Sequence, residues 1–161
     1  MSAFKSHVYI LAEDDANRQI LNGFLTNQAV CPRCVKPVPT SKGWSKLVDQ
    51  FQSEYAPRLR GNPLGFVILL VDFDGQGQKR AEQIWSRIDD DVRERVFILG
   101  SLDEPERLKP HLGTYEAIGQ ALAKDCHEGT TATWDHQLLR HNAGQLGRLW
   151  SSVRPFLFPT A

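Results

Sequence analysis

The sequence predicts an α/β fold: a single Rossmann-like domain with a central, mainly parallel sheet of about four strands flanked by helices, and a helical C-terminal part. Three observations carry this expectation. Phe66-Val67-Ile68-Leu69-Leu70-Val71 is an unbroken apolar run with three β-branched residues, which marks a strand covered on both faces and hence a parallel sheet. His7-Val8-Tyr9-Ile10-Leu11-Ala12 and Arg95-Val96-Phe97-Ile98-Leu99 are two further mostly apolar runs. Between the runs, apolar residues recur at helical spacing, and strands alternating with helices build βαβ units. The α/β core is expected over residues 1–104, with a helical extension over 105–161 packed on the same domain.

The elements follow in order. After the first run, Ile20, Leu21, Phe24 and Leu25 share one face of a helix over 16–27. Residues 28–43 hold Cys31-Pro32-Arg33-Cys34 and three prolines. They read as irregular chain with Val35 and Val38 paired into the sheet at an edge. Gly43-Trp44 opens a helix through Tyr55, with Trp44, Leu47, Val48, Phe51 and Tyr55 on one side, and Ala56-Pro57 is expected to end it. The central run follows the turn Gly61-Asn62-Pro63. A helix over 79–88 buries Ala81, Ile84, Trp85 and Ile88. The third run leads to Ser101 or Asp103 as cap of a short helix starting at Pro105. Helices are expected over 115–126, 134–139 and 146–153. The apolar tail Arg154–Pro159 must dock on the domain or meet a partner.

Composition narrows the function classes. The 161 residues are 41% hydrophobic and 24% charged, with a formal net charge of zero. Bulk charge therefore advertises neither nucleic acid nor a lipid surface. Residues 31–60 are locally basic, with six cations (Arg33, Lys36, Lys42, Lys46, Arg58, Arg60) against Asp49 and Glu54; a phosphodiester partner and a solvated face fit this equally. No leader pattern and no apolar run near ~18 residues is seen, so a cytoplasmic chain without a membrane partner is expected. Three cysteines make no disulfide framework. Cys31 and Cys34 have the spacing of half a zinc site, but two more ligands, such as Cys126 and His127, would have to come from the other half of the chain. Reduced thiols are the expectation.

The candidate chemistry lies where strands end. The central run closes with Asp72-Phe73-Asp74, and the first with Glu13-Asp14-Asp15. Ligands of open α/β sheets sit at the carboxyl ends of strands, and side chains at i and i+2 of an extended segment point the same way. Asp72 and Asp74 can then face one cation, with Glu13, and Asp14 beside it, converging if the strands are neighbours. Helix capping and dipole effects explain the same acids without a metal. Lys79 and Arg80 open a helix against the dipole preference, where they can meet a substrate phosphate or the nearby carboxylates; two solvated cations are the expectation. His136 and His141, five apart, share no helical face; a surface or capping role is expected for them. No P-loop, G-x-G-x-x-G, G-x-S-x-G or H-E-x-x-H pattern occurs.

With Glu13 after Ile10-Leu11-Ala12 and Asp72-Phe73-Asp74 after a later strand, the chain resembles the Toprim domain of topoisomerases, primases and several defence nucleases over about residues 7–100. The resemblance implies that Glu13, Asp72 and Asp74 hold Mg²⁺ (or Mn²⁺) and that the metal serves phosphodiester chemistry on nucleic acid. It further implies a nuclease subunit of a phage-defence type with a larger partner such as an ATPase. Asp14 stands where that family commonly has glycine. Ile10–Arg18 also resembles the opening of a response-regulator receiver domain, which implies Asp72 as phosphoacceptor and Ser101 as switch hydroxyl; the lysine that family carries after a fifth strand is missing. A third expectation is a non-catalytic interaction subunit with a Toprim-like fold. A homodimer is compatible with all three.

Overall fold

The structure is a computed structural model that describes residues 5–39 and 42–160. Four strands form one parallel sheet in the order β2-β1-β3-β4, with β1 at His7–Ala12, β2 at Val35–Val38, β3 at Gly65–Leu70 and β4 at Val96–Leu99. Ile10 lies opposite Ile68, and Ile68 opposite Phe97. Successive side chains alternate between faces. Val8, Ile10, Ile68, Phe97 and Leu99 enter one core, while Leu11, Val67, Leu69, Val96 and Ile98 enter the other. Both faces are thus covered, as the unbroken apolar strands require.

Helix α1 (Asp15–Leu25) covers the first face together with α6 (Tyr115–Glu128), α7 (Ala143–Ser152) and α8 (Arg154–Leu157). Helices α1 and α6 approach so closely that a Cβ on Gly23 would stand 2.0 Å from the Glu116 carbonyl oxygen, and one on Gly119 only 1.9 Å from that of Ile20. The C-terminal tail docks: Leu157 and Phe158 are buried, and the Leu157 carbonyl accepts from the Cys31 N–H at 2.8 Å. Helices α2 (Trp44–Gln50), α3 (Ala56–Gly61) and α4 (Gln78–Trp85) cover the second face, and a short α5 (Lys109–Leu112) precedes α6.

Several expectations are corrected. Pro57 does not end the second helix. A π-helical turn over Phe51–Tyr55 widens the backbone, with the Ala56 N–H reaching the Phe51 carbonyl, and Pro57 sits in the first turn of α3. The missing N–H and the ring clash of a mid-helix proline are absorbed there. Residues 134–139 form turns rather than a helix. Ser101 caps no helix among the described residues; it is buried, and its hydroxyl has no partner among them, while Asp103 accepts from the Glu104 N–H. Cys31 and Cys34, expected as reduced thiols or half of a zinc site, are joined by a disulfide, and Cys126 is a separate buried thiol. A disulfide supplies no thiolate pair to zinc.

The sheet has no fifth strand beside β4 among the described residues. Side chains take that place: Gln145 accepts from the Ile98 N–H, Asn142 accepts from Gly100 N–H and donates to its carbonyl, and Arg148 donates to the Val96 carbonyl. The N–H groups of Ile98 and Gly100 and the carbonyls of Val96 and Gly100, which would otherwise invite another chain, are satisfied internally.

No described helix is long and apolar enough to cross a membrane.

Candidate metal centre

Strand order reverses between β1 and β3, so the crevice at their carboxyl ends is the switch point at which open α/β sheets bind ligands. β1 delivers Glu13 there and β3 delivers Asp72. Both are buried, at 6% and 7% exposure. The Glu13 N–H continues the ladder to the Leu70 carbonyl at 2.9 Å, and the Glu13 carboxylate accepts from the Asp72 N–H at 3.0 Å. The two strand ends are therefore locked in register by main chain and side chain together.

Asp14 is the N-cap of α1, extended at φ −152°, and its Oδ1 accepts from the Asn17 N–H at 2.9 Å. The Asn17 side-chain amide reaches both acids, donating to Asp14 Oδ1 and to Asp72 Oδ1 at 2.9 Å each. One carboxylate oxygen from each of Glu13, Asp14 and Asp72 lies within 4.8 Å of the others. Bonds near 2.1 Å to Mg²⁺ allow two ligand oxygens up to ~4.2 Å apart, and bonds to Ca²⁺ up to ~5 Å. Side-chain closure by an ångström or more would let all three reach one hard cation. The all-oxygen donor set suits Mg²⁺, Mn²⁺ or Ca²⁺ and not zinc or copper.

The electrostatics point the same way. Burial pushes the Asp72 carboxyl up to about 8; the amide of Asn17 opposes the shift, and the charges of Asp14 and Glu13 add to it. Burial also raises Glu13, against the Asp72 N–H bond, with the Asp14 charge adding. Desolvated like charges this close disfavour ionisation. A divalent cation, if bound there, would supply the compensating charge.

The structure brings Glu13, Asp14 and Asp72 together and sets Asp74 apart. β3 ends at Leu70, and at Asp74 the chain has turned into the left-handed region (φ +49°), so the i, i+2 rule for extended chain no longer holds. Asp74 pairs instead with Arg80 at 2.7 Å. Arg80, for which the sequence offers a phosphate, the carboxylates or solvent, is buried and meets a carboxylate. It also donates to the Asp72 carbonyl and the Gln83 side chain, and lies over the Trp44 ring at 4.8 Å. Lys79 is exposed. Sequence reasoning passed over Asn17, although it stands three and four residues before Ile20 and Leu21 on the apolar stripe. A polar residue in a core stripe is the signal that finds it. His141 lies across the end of β4, with Nε2 2.8 Å from the Gly100 carbonyl and its ring 4.6 Å from Phe73. The His136 ring lies 5.6 Å from that of His111, tilted at 53°.

The chain matches no family model, no curated protein and no solved structure.

Proposed function

We propose that Glu13, Asp14 and Asp72 hold one divalent cation, Mg²⁺ or Mn²⁺, and that the site serves phosphate chemistry, with a phosphodiester of nucleic acid as substrate. The observation that carries this reading is the meeting of three carboxylate oxygens, two of them from buried residues, at the switch point of the sheet. Bound there, the cation would neutralise the charge that develops on phosphate oxygens. Glu13 and Asp72 orient it through their locked strand ends. Asn17 fixes the Asp72 carboxylate rotamer, leaving its second oxygen for the metal or substrate. The neutral overall charge favours work within a complex, in which a partner such as an ATPase grips the nucleic acid.

A second reading, Asp72 as acceptor of a phosphoryl group, is favoured by particular observations. Asp74 stands outside the cluster, and the strand order β2-β1-β3-β4 is that of the flavodoxin-like doubly wound folds short of their last strand. Ser101 follows β4 by two residues, with a buried hydroxyl unpartnered among the described residues.

One experiment separates them. The protein is incubated with Mg²⁺ or Mn²⁺ and plasmid DNA or RNA, and in parallel with a small acyl phosphate donor. Nicking that is lost in Asp72→Asn and Glu13→Gln supports the first reading. Protein phosphorylation lost in Asp72→Asn but kept in Asp74→Asn establishes the second. Neither activity, with cation binding intact, leaves a metal-stabilised interaction subunit and refutes both.

A further inference from the structure

A pocket of about 340 Å³ opens on the β4 edge, between α4 and α7, with Phe73 in its wall. It is at the lower end of the ~300–1,000 Å³ range of small-molecule sites. Its walls include the rings of Phe73, Trp85 and His141, with Gln78 and Gln145 beside them, and no lysine, arginine, aspartate or glutamate lines it.

The polar groups in this pocket follow from the missing fifth strand. The Ile98 N–H points outward to the Gln145 side-chain oxygen, at 3.1 Å. The Ile98 carbonyl lies on the same outer side, because N–H and C=O of one strand residue face the same neighbour. Gln145 Oε1 also accepts from Arg148, which fixes the amide and leaves its NH₂ without a partner among the described residues. In a neutral His141 ring, an Nε2–H donated to the Gly100 carbonyl leaves Nδ1 as an acceptor. The pocket thus offers an amide donor, a backbone carbonyl acceptor and aromatic faces, with no formal charge. Flat heteroaromatic rings carrying donors and acceptors side by side on their edge match this set, and aromatic side chains stack on any base.

We infer that this pocket takes a nucleobase, held against Phe73 and Trp85 and read at its edge by Gln145 and the Ile98 carbonyl. Phe73 joins Asp72 to Asp74 in the chain, so a base in the pocket shares a wall with the loop that carries the acids. The inference deepens the phosphate reading to a nucleotide-bearing substrate and rests on it for the phosphate half only; the base half stands on the pocket.

Free nucleosides, which have no phosphate and need no metal, test the base half alone. Amide NMR shifts of the whole chain are followed during titration with adenosine, guanosine, cytidine and uridine, and with indole as an apolar ring control. A Cβ on Gly144, which lines the pocket, would meet nothing within 4 Å, so Gly144→Leu fills it and Gly144→Ala serves as folding control. The expected result is saturable shifts at Ile98, Gln145, His141 and Phe73 with at least one nucleoside, weakened about tenfold or more in Gly144→Leu and retained in Asp72→Asn. No saturable shift, shifts unchanged by Gly144→Leu while the control folds, or indole binding as well as every nucleoside would each overturn the inference. Loss of metal binding in Asp72→Asn with nucleoside binding retained would separate the two sites.

Discussion

The carboxylate of Glu13 accepts a hydrogen bond from the backbone N–H of Asp72 across 3.0 Å, while both side chains are buried at neighbouring strand ends. An acid that stabilises the backbone of a second acid, with a third close by, is a costly arrangement for an isolated protein. It becomes favourable once a cation shares the cluster.

The stability of the metal-free protein should fall as pH rises. Asp72 has a folded pKa raised from 3.8 to about 8. Between those values the folded state holds a proton that the unfolded state has lost, so the stabilising contribution is complete below pH 3.8 and is lost as pH passes through about 8. One such group gives a slope of at most ~1.4 kcal/mol per pH unit. Urea unfolding from pH 5 to pH 8 should show the fall, and Asp72→Asn should flatten it. An equal slope in the variant would mean that other groups dominate.

Gly119→Ala should destabilise the fold by about 2–4 kcal/mol, because the added Cβ meets the Ile20 carbonyl and the Phe24 N of α1 at 1.9 and 2.6 Å. Thermal unfolding measures this. The displacement passes to Asn17 on the same helix, so cation affinity should weaken too. A variant as stable as the parent would contradict the α1–α6 contact.

Arg80→Ala should cost roughly 1–3 kcal/mol, since it leaves a buried position empty and the Asp72 carbonyl and Asp74 without their donor. Arg80→Lys should restore little, because a lysine cannot stack on Trp44 while reaching both oxygens. Lys79→Ala, at an exposed site, should change stability by no more than about 0.5 kcal/mol. Equal effects at the two positions would remove the distinction drawn here.

The parts that the sequence made legible are those with a strong one-dimensional signal. β1, β3 and β4 were readable because parallel strands are apolar on both faces, and Glu13 and Asp72 because each ends such a strand. That β1 and β3 are neighbours followed only conditionally from the sequence; the structure supplies the order. Asp74 stands outside the cluster because the chain turns at Asp74 itself, followed by Gly75 and Gly77 also at positive φ, a backbone feature that spacing does not show. For Arg80 the sequence leaves solvent, a phosphate and the carboxylates open, because tertiary packing decides whether a long polar side chain turns inward; the seat of Gln145 on the β4 edge has no one-dimensional signal. Pro57 misled for the opposite reason, as a π-turn can host what an α-helix cannot.

The central claim is tested most directly by titrating the protein with Mn²⁺ and Mg²⁺ in a calorimeter at pH 7 in buffers of different ionisation heat. The account predicts one ion bound per chain, with release of about one proton, because Asp72 must ionise to become a ligand. It predicts that Asp72→Asn and Glu13→Gln lose this binding and that Asp74→Asn keeps it. Binding that is unchanged in Asp72→Asn, or no binding by the unaltered chain, would contradict the metal centre.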